Sequence, residues 1–155
     1  MDFEGIVTMG RILRFDHIGI TVENIEVVAN FFVSLGLRIE ARADGLEGEF
    51  LETVSGVPDS RTNILMLKAE NTDVGIELSS FEKPAHGPGQ PQAMANELGL
   101  RSLAFEVDDI EATVVELAAQ GYGLIGGIGE YESTWKMAYV RGPEGLIVAL
   151  AQQLS

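Results

Sequence analysis

Two histidines and no cysteine are all the imidazole and thiol chemistry this chain carries, so disulfides, thiolate catalysis and cysteine-ligated zinc are excluded together. His17 lies in FDHIGITVENIEVVANFFVSLG, Phe15 to Gly36, and Glu77 lies in GIELSSF near the middle of the chain. An imidazole and a carboxylate brought together can pass a proton, anchor a polar ligand or offer two donors to a divalent cation. The chain itself supplies a comparison for both residues. The stretch from Phe15 recurs without a gap 85 positions later as LRSLAFEVDDIEATVVELAAQG, Leu100 to Gly121. Val22 falls on Val107, Ile25 on Ile110, Glu26 on Glu111 and Gly36 on Gly121, and His17 falls on Ser102. At an offset of 72, Ile76-Glu77-Leu78 falls on Val148-Ala149-Leu150, so Ala149 stands where Glu77 stands in the first copy. An internal repeat of this kind sets the architecture before any single motif does.

The elements that must position these residues follow from periodicity. Arg14 to Val22 alternates, with Ile18, Ile20 and Val22 on one face and His17, Gly19 and Thr21 on the other. Asn24 is the expected N-cap of a helix whose apolar residues Ile25, Val28, Ala29, Phe32 and Leu35 recur at helical spacing, with Gly36 as its stop. Strands are expected at Arg38 to Ala43, Asn63 to Ala69 and Val74 to Phe81. A glycine-rich excursion at 44–62 holds at most a short strand or helical turn at Glu49 to Val54. The second copy gives a strand at Arg101 to Val107, a helix at Ile110 to Gln120, and strands at Leu124 to Ile128, Trp135 to Arg141 and Leu146 to Ala151. Gly-Pro-Glu-Gly at 142–145 turns between the last two. The acidic run Glu106 to Asp109 is expected to cap the second helix. The resulting organisation is a tail at 1–10, a first β-α-β-β-β module at 11–83, a proline-rich linker at 84–98 and a second module at 99–155. Met9 is a possible second start, and the tail is either loose or an extension pairing with a neighbour. The fold class is α+β, two tandem modules curving around a shared pocket. If their sheets lie edge to edge with helices outside, His17, Glu77, Ser102 and Ala149 all face the concavity.

Composition narrows the partners. The net charge of −14 repels phosphate backbones and anionic membranes, which argues against nucleic acid. No apolar run reaches the roughly 20 residues of a membrane span, and the acidic start is unlike a signal peptide. A cytoplasmic protein is expected. Glycines are spread through turns, no phosphate-binding fingerprint occurs, and no serine sits in a nucleophile elbow.

The residues FDHIGITVENIEVVANFF, GIELSSF, LRSLAFEVDDIEATV and YVRGPEGLIVALA, in this order and with this repeat, resemble the vicinal oxygen chelate superfamily over roughly residues 12–152. That superfamily holds glyoxalase I, extradiol dioxygenases, methylmalonyl-CoA epimerase and fosfomycin- and bleomycin-resistance proteins. The resemblance implies a homodimer. It also implies four metal-ligand positions, two from the first strand of each module and two from the last. His17 and Glu77 match them, and Ser102 and Ala149 do not. A neutral hydroxyl and a methyl group leave two donors where a catalytic ion (Zn, Ni, Mn, Fe or Mg) normally has at least three. The expected cofactor is therefore none, with a divalent metal held by His17 and Glu77 as the alternative.

Trp135, Met137 and Tyr139 share a face of their strand, either as core or as an aromatic wall for an apolar ligand. Phe81 and Met66 are lesser contributors. His86 is read as an exposed linker residue, and Arg141 and Glu144 as structural or solvated. His17 and Glu77 are either a paired remnant or working groups. Three functions stay open. One is a small-molecule-binding protein with a degenerate metal site, taking a hydrophobic or aromatic ligand at His17, Glu77, Ser102, Trp135, Tyr139, Met137 and Phe81, as the sequestering resistance proteins do. The second is a divalent-metal-dependent lyase, epimerase or dioxygenase. The third is a metal-free enzyme with His17 and Glu77 as acid and base.

Overall fold

The structure, a computed structural model, describes residues 10–154. The expectations for the tail and for Met9 lie outside the described residues, Gly10 excepted. The first module runs β1 (His17–Thr21), α1 (Ile25–Ser34), β2 (Arg38–Leu46), α2 (Glu49–Ser55), β3 (Arg61–Lys68) and β4 (Gly75–Lys83). The second runs β5 (Ser102–Glu106), α3 (Ile110–Ala119), β6 (Gly129–Tyr131), β7 (Trp135–Arg141) and β8 (Ile147–Gln153). Each module is a four-stranded mixed sheet, in the orders β1-β4-β3-β2 and β5-β8-β7-β6. The first and last strands of each module pair in parallel and the remaining pairs are antiparallel. The α+β class and the duplicated β-α-β-β-β order are those the repeat dictates.

Local chemistry explains the boundaries. The Asn24 side chain accepts from the Val27 amide at 3.2 Å, and Asp109 does the same for Ala112 at 3.0 Å. Gly36 and Gly121 follow the two helices at φ +103 and +95, a backbone region that side-chain-bearing residues rarely adopt. The excursion after β2 contains a real helix, α2, although it buries no residue. One expected strand moves. Leu124 to Ile128 forms only an isolated bridge from Leu124 to Val140, and the edge strand begins at Gly129. Gly126 and Gly127 offer the sheet no side chain to pack, and pairing starts only where Gly129, Glu130 and Tyr131 lie opposite Met137, Lys136 and Trp135.

The core is one cluster spanning both modules, with Phe31, Phe32, Leu65, Leu67 and Leu78 from the first and Ile110, Leu117, Val140 and Leu150 from the second. Among the described residues no strand pair joins the two sheets. Aromatic rings join the modules instead. Phe31 meets Tyr122 edge-on at 5.1 Å, and Phe32 meets Phe105 at 6.2 Å. Rings of that size are most stable buried, at about 1.5–3 kcal/mol each, and α1 presents two of them to the other module. A charge contact adds to the joint. The Glu144 carboxylate accepts from the Glu23 and Asn24 amides, both at 2.7 Å, at the start of α1. It reaches them from a 3-10 turn, Pro143–Gly145, in which Glu144 has φ +58. Arg141 reaches the carbonyls of Ala93 and Gly145 at 2.6 and 3.1 Å, fixing the linker to the same turn. Of the two readings open for these residues, structural or solvated, the contacts favour the structural one.

Candidate functional site

Alternation decides which side chains share a surface. Leu65, Leu67, Ile76 and Leu78 are buried beneath α1. Register therefore puts His17, Gly75 and Lys68 in one row on the opposite, open face, and Gly19, Glu77 and Met66 in the next. Phe81 is farther along the same face, half-buried and opposite Thr62. In the second sheet the open face carries Ser102 and Ala104 on β5, Ala149 on β8, and Trp135, Met137 and Tyr139 on β7. Tyr139 lies directly opposite Ala149, which lies beside Ala104. Lys136, of the other parity, turns to the helix side and pairs with Glu111 of α3 at 2.6 Å. That confirms which face the aromatic residues occupy. They are not core: Met137 and Tyr139 are 45% and 38% exposed.

The structure brings His17 and Glu77 together, at 3.6 Å from Nε2 to Oε2. That exceeds hydrogen-bond length. A neighbour not singled out from sequence shapes this pair. Asp16 Oδ2 is 2.7 Å from His17 Nδ1. An ionised carboxylate only accepts, so Nδ1 donates, and a neutral ring then turns the Nε2 lone pair toward a second acceptor, Glu77. A proton or a ligand donor group between the two would satisfy both. The hydrogen bond from His17, and then the Arg14 guanidinium at 2.7 Å, hold the Asp16 carboxyl below its usual range. An acid directly preceding the histidine was the signal available in the sequence.

His86 is exposed, with Nδ1 against the Gly87 carbonyl at 2.7 Å and Nε2 beside Glu23 at 3.2 Å. No group of three or more His, Cys, Asp or Glu side chains among the described residues is arranged to hold a metal ion. Nor does any hydrogen bond or ion pair among them link His17 or Glu77 to Ser102, Trp135, Met137 or Tyr139. A cleft of about 690 Å³ lies between the modules and is lined by Ile18, Ile76, Leu103 and Phe105, the parity opposite to His17, under a rim with Glu70 and Asp108. Its walls belong to the helix-side faces, and its lining includes carboxylates but no imidazole. The open faces are where reactive side chains gather. No helix is long and apolar enough to cross a membrane among the described residues.

Comparison with known proteins follows the same architecture. A glyoxalase family protein from Bacillus cereus is 33% identical, with a TM-score of 0.91 over 96% of this chain and 99% of that one. A glyoxalase family protein from Enterococcus faecalis is 25% identical, with a TM-score of 0.60 over 90% and 97%. An antibiotic binding protein from a Streptomyces species is 20% identical, with a TM-score of 0.63 over 94% and 99%, a likeness of fold alone. No match was found among curated proteins. The family model described as the glyoxalase/bleomycin resistance protein/dioxygenase superfamily matches residues 16–139. With its duplicated modules and this match over most of its length, the chain belongs to that superfamily.

Proposed function

We propose that this protein binds a small hydrophobic or aromatic molecule against its open sheet faces and that its metal site is degenerate. The observation that carries this reading is the donor set. His17 and Glu77 are the only metal-type donors at the four family positions, and Ser102 and Ala149 contribute a hydroxyl and a methyl group. Two donors do not fit a catalytic divalent ion that needs three or more. Trp135, Met137 and Tyr139 supply apolar and aromatic area beside small Ala104 and Ala149, which leave room above the strands. The Streptomyces neighbour, an antibiotic binding protein, supports a binding role on the same fold. Metal analysis of purified protein, with a crystallographic difference map over the open faces, tests the reading. Well under one metal per chain and density for an organic molecule are expected, and stoichiometric metal on His17 and Glu77 would overturn it.

A homodimer belongs to the same proposal. β1 and β5 are both edge strands, and the His17 face and the Tyr139 face each remain open within one chain. A second copy laying β5 beside β1 would close both into cups and give each edge a partner.

The arrangement of Asp16, His17 and Glu77 favours a second reading, metal-free acid–base catalysis. A substrate proton would enter the gap between Nε2 and Oε2. His17→Ala would then abolish turnover while leaving ligand affinity nearly intact.

A further inference from the structure

We propose that the ligand of the His17 face bears a carboxylate or an equivalent anionic group, and that Lys68 is the residue that binds it. This rests on the reading of that face as a ligand site and names the chemistry of what it takes. Lys68 ends β3 in register with Gly75, and Gly75 is in register with His17. The three form one row across three strands, spanning about 10 Å of backbone. The middle position has no side chain of its own. A methyl group built at Gly75 would touch Met66 Cε at 3.5 Å and His17 Cβ at 3.7 Å, so the floor there is bare but closely walled.

Among the described residues two basic side chains, Lys68 and Arg101, have neither an ion pair nor a hydrogen bond, and of the two only Lys68 shares a row with His17. Six other basic side chains, Arg42 and Lys136 among them, are ion-paired, and Arg141 is held by backbone carbonyls. Lys68 is half-buried and has no hydrogen bond or ion pair among the described residues, in a chain with 24 acidic residues and only 10 basic ones. With so many carboxylates available, a partly desolvated ammonium without one is a vacancy for an anion supplied from outside. A bound acid would place its carboxylate on Lys68 Nζ and its body over Gly75 and Met66. Its adjoining polar atom would then reach His17 Nε2. Specificity would come from leaving Lys68 unpaired when the ligand lacks the charge.

Calorimetric titration of the full chain with naphthoate and with its uncharged isostere naphthamide tests this, in wild type, Lys68→Met and Lys68→Arg, at low and high salt. Wild type should prefer naphthoate by roughly tenfold, the worth of one charge-assisted hydrogen bond, and the preference should shrink in high salt. Lys68→Met should bring naphthoate down to the level of naphthamide and leave naphthamide unchanged, while Lys68→Arg keeps the preference. Equal binding of the two probes by wild type, or a preference that survives Lys68→Met, would overturn the assignment of Lys68 and leave the ligand-site reading standing. Failure of both probes to bind would overturn the two together.

Discussion

A histidine whose Nδ1 donates to a neighbouring carboxylate has one nitrogen left to use, and in this chain that nitrogen faces Glu77 across 3.6 Å. Asp16 therefore matters as much as Glu77 to what His17 can do, because it fixes both tautomer and ring orientation. The pair is only partly covered, with side chains 36% and 28% exposed, so removing it should disturb ligand affinity or turnover far more than folding. Titration is better read at another pair. The hydrogen bond from Lys136 holds the Glu111 carboxyl below its ordinary value, and the same bond holds the Lys136 ammonium above its own. A lowered acid stabilises the fold above its unfolded value, near 4.3, and that contribution is lost as pH falls through the folded value. A raised amine contributes below its unfolded value and loses the contribution as pH rises through the folded one. The bond between α3 and β7 is thus worth most from about pH 5 to pH 10. Urea midpoints of wild type and Glu111→Gln should differ at pH 7 and converge as pH falls through the folded value of Glu111.

At the scale of elements, α1 is completed by a residue from the other module. Glu144→Ala leaves the Glu23 and Asn24 amides without their acceptor and should lower unfolding stability by about 1–2 kcal/mol, similar to the loss of an N-cap. Asn24→Ala, losing only the bond from Val27, should cost about 1 kcal/mol. Chemical denaturation separates the two, and the double variant tests their coupling. Phe31→Ala, at the joint with Tyr122, should cost about 3–5 kcal/mol. Much of this level was legible beforehand. Strand parity and the two helix caps followed from alternation, from Asn24 and from the acidic run Glu106 to Asp109. Two things were not. The glycines at 126 and 127 delay the edge strand beyond Leu124–Ile128, because pairing there depends on what a neighbour can pack against. Glu144 looked like one of many surface acids, because its partners are 120 residues away and are backbone amides, which no side-chain pattern reveals.

For the whole molecule, duplication foretold the two modules and the four comparable positions, whereas their mutual placement depended on where α1 buries its aromatic rings. Within one chain no strand pair, hydrogen bond or ion pair among the described residues joins the His17 face to the Tyr139 face. On the binding reading, with two chains building each site, a mixture of His17→Ala and Tyr139→Ala proteins, each weakened in binding alone, should restore wild-type affinity at about a quarter of the sites. Half the dimers would be mixed, and each mixed dimer would have one intact cup. No recovery on mixing would place both faces of a site in the same chain. Sedimentation at several concentrations gives the stoichiometry independently.

The carboxylate that spans the two modules also limits their separate fates. Expressed by themselves, residues 11–83 would begin their helix with orphaned amides and hold Phe31 and Phe32 against solvent. Residues 99–155 would keep Tyr122 and Phe105 with nothing to cover them. The two modules cover one another, so either half expressed alone should fold less stably than the whole chain.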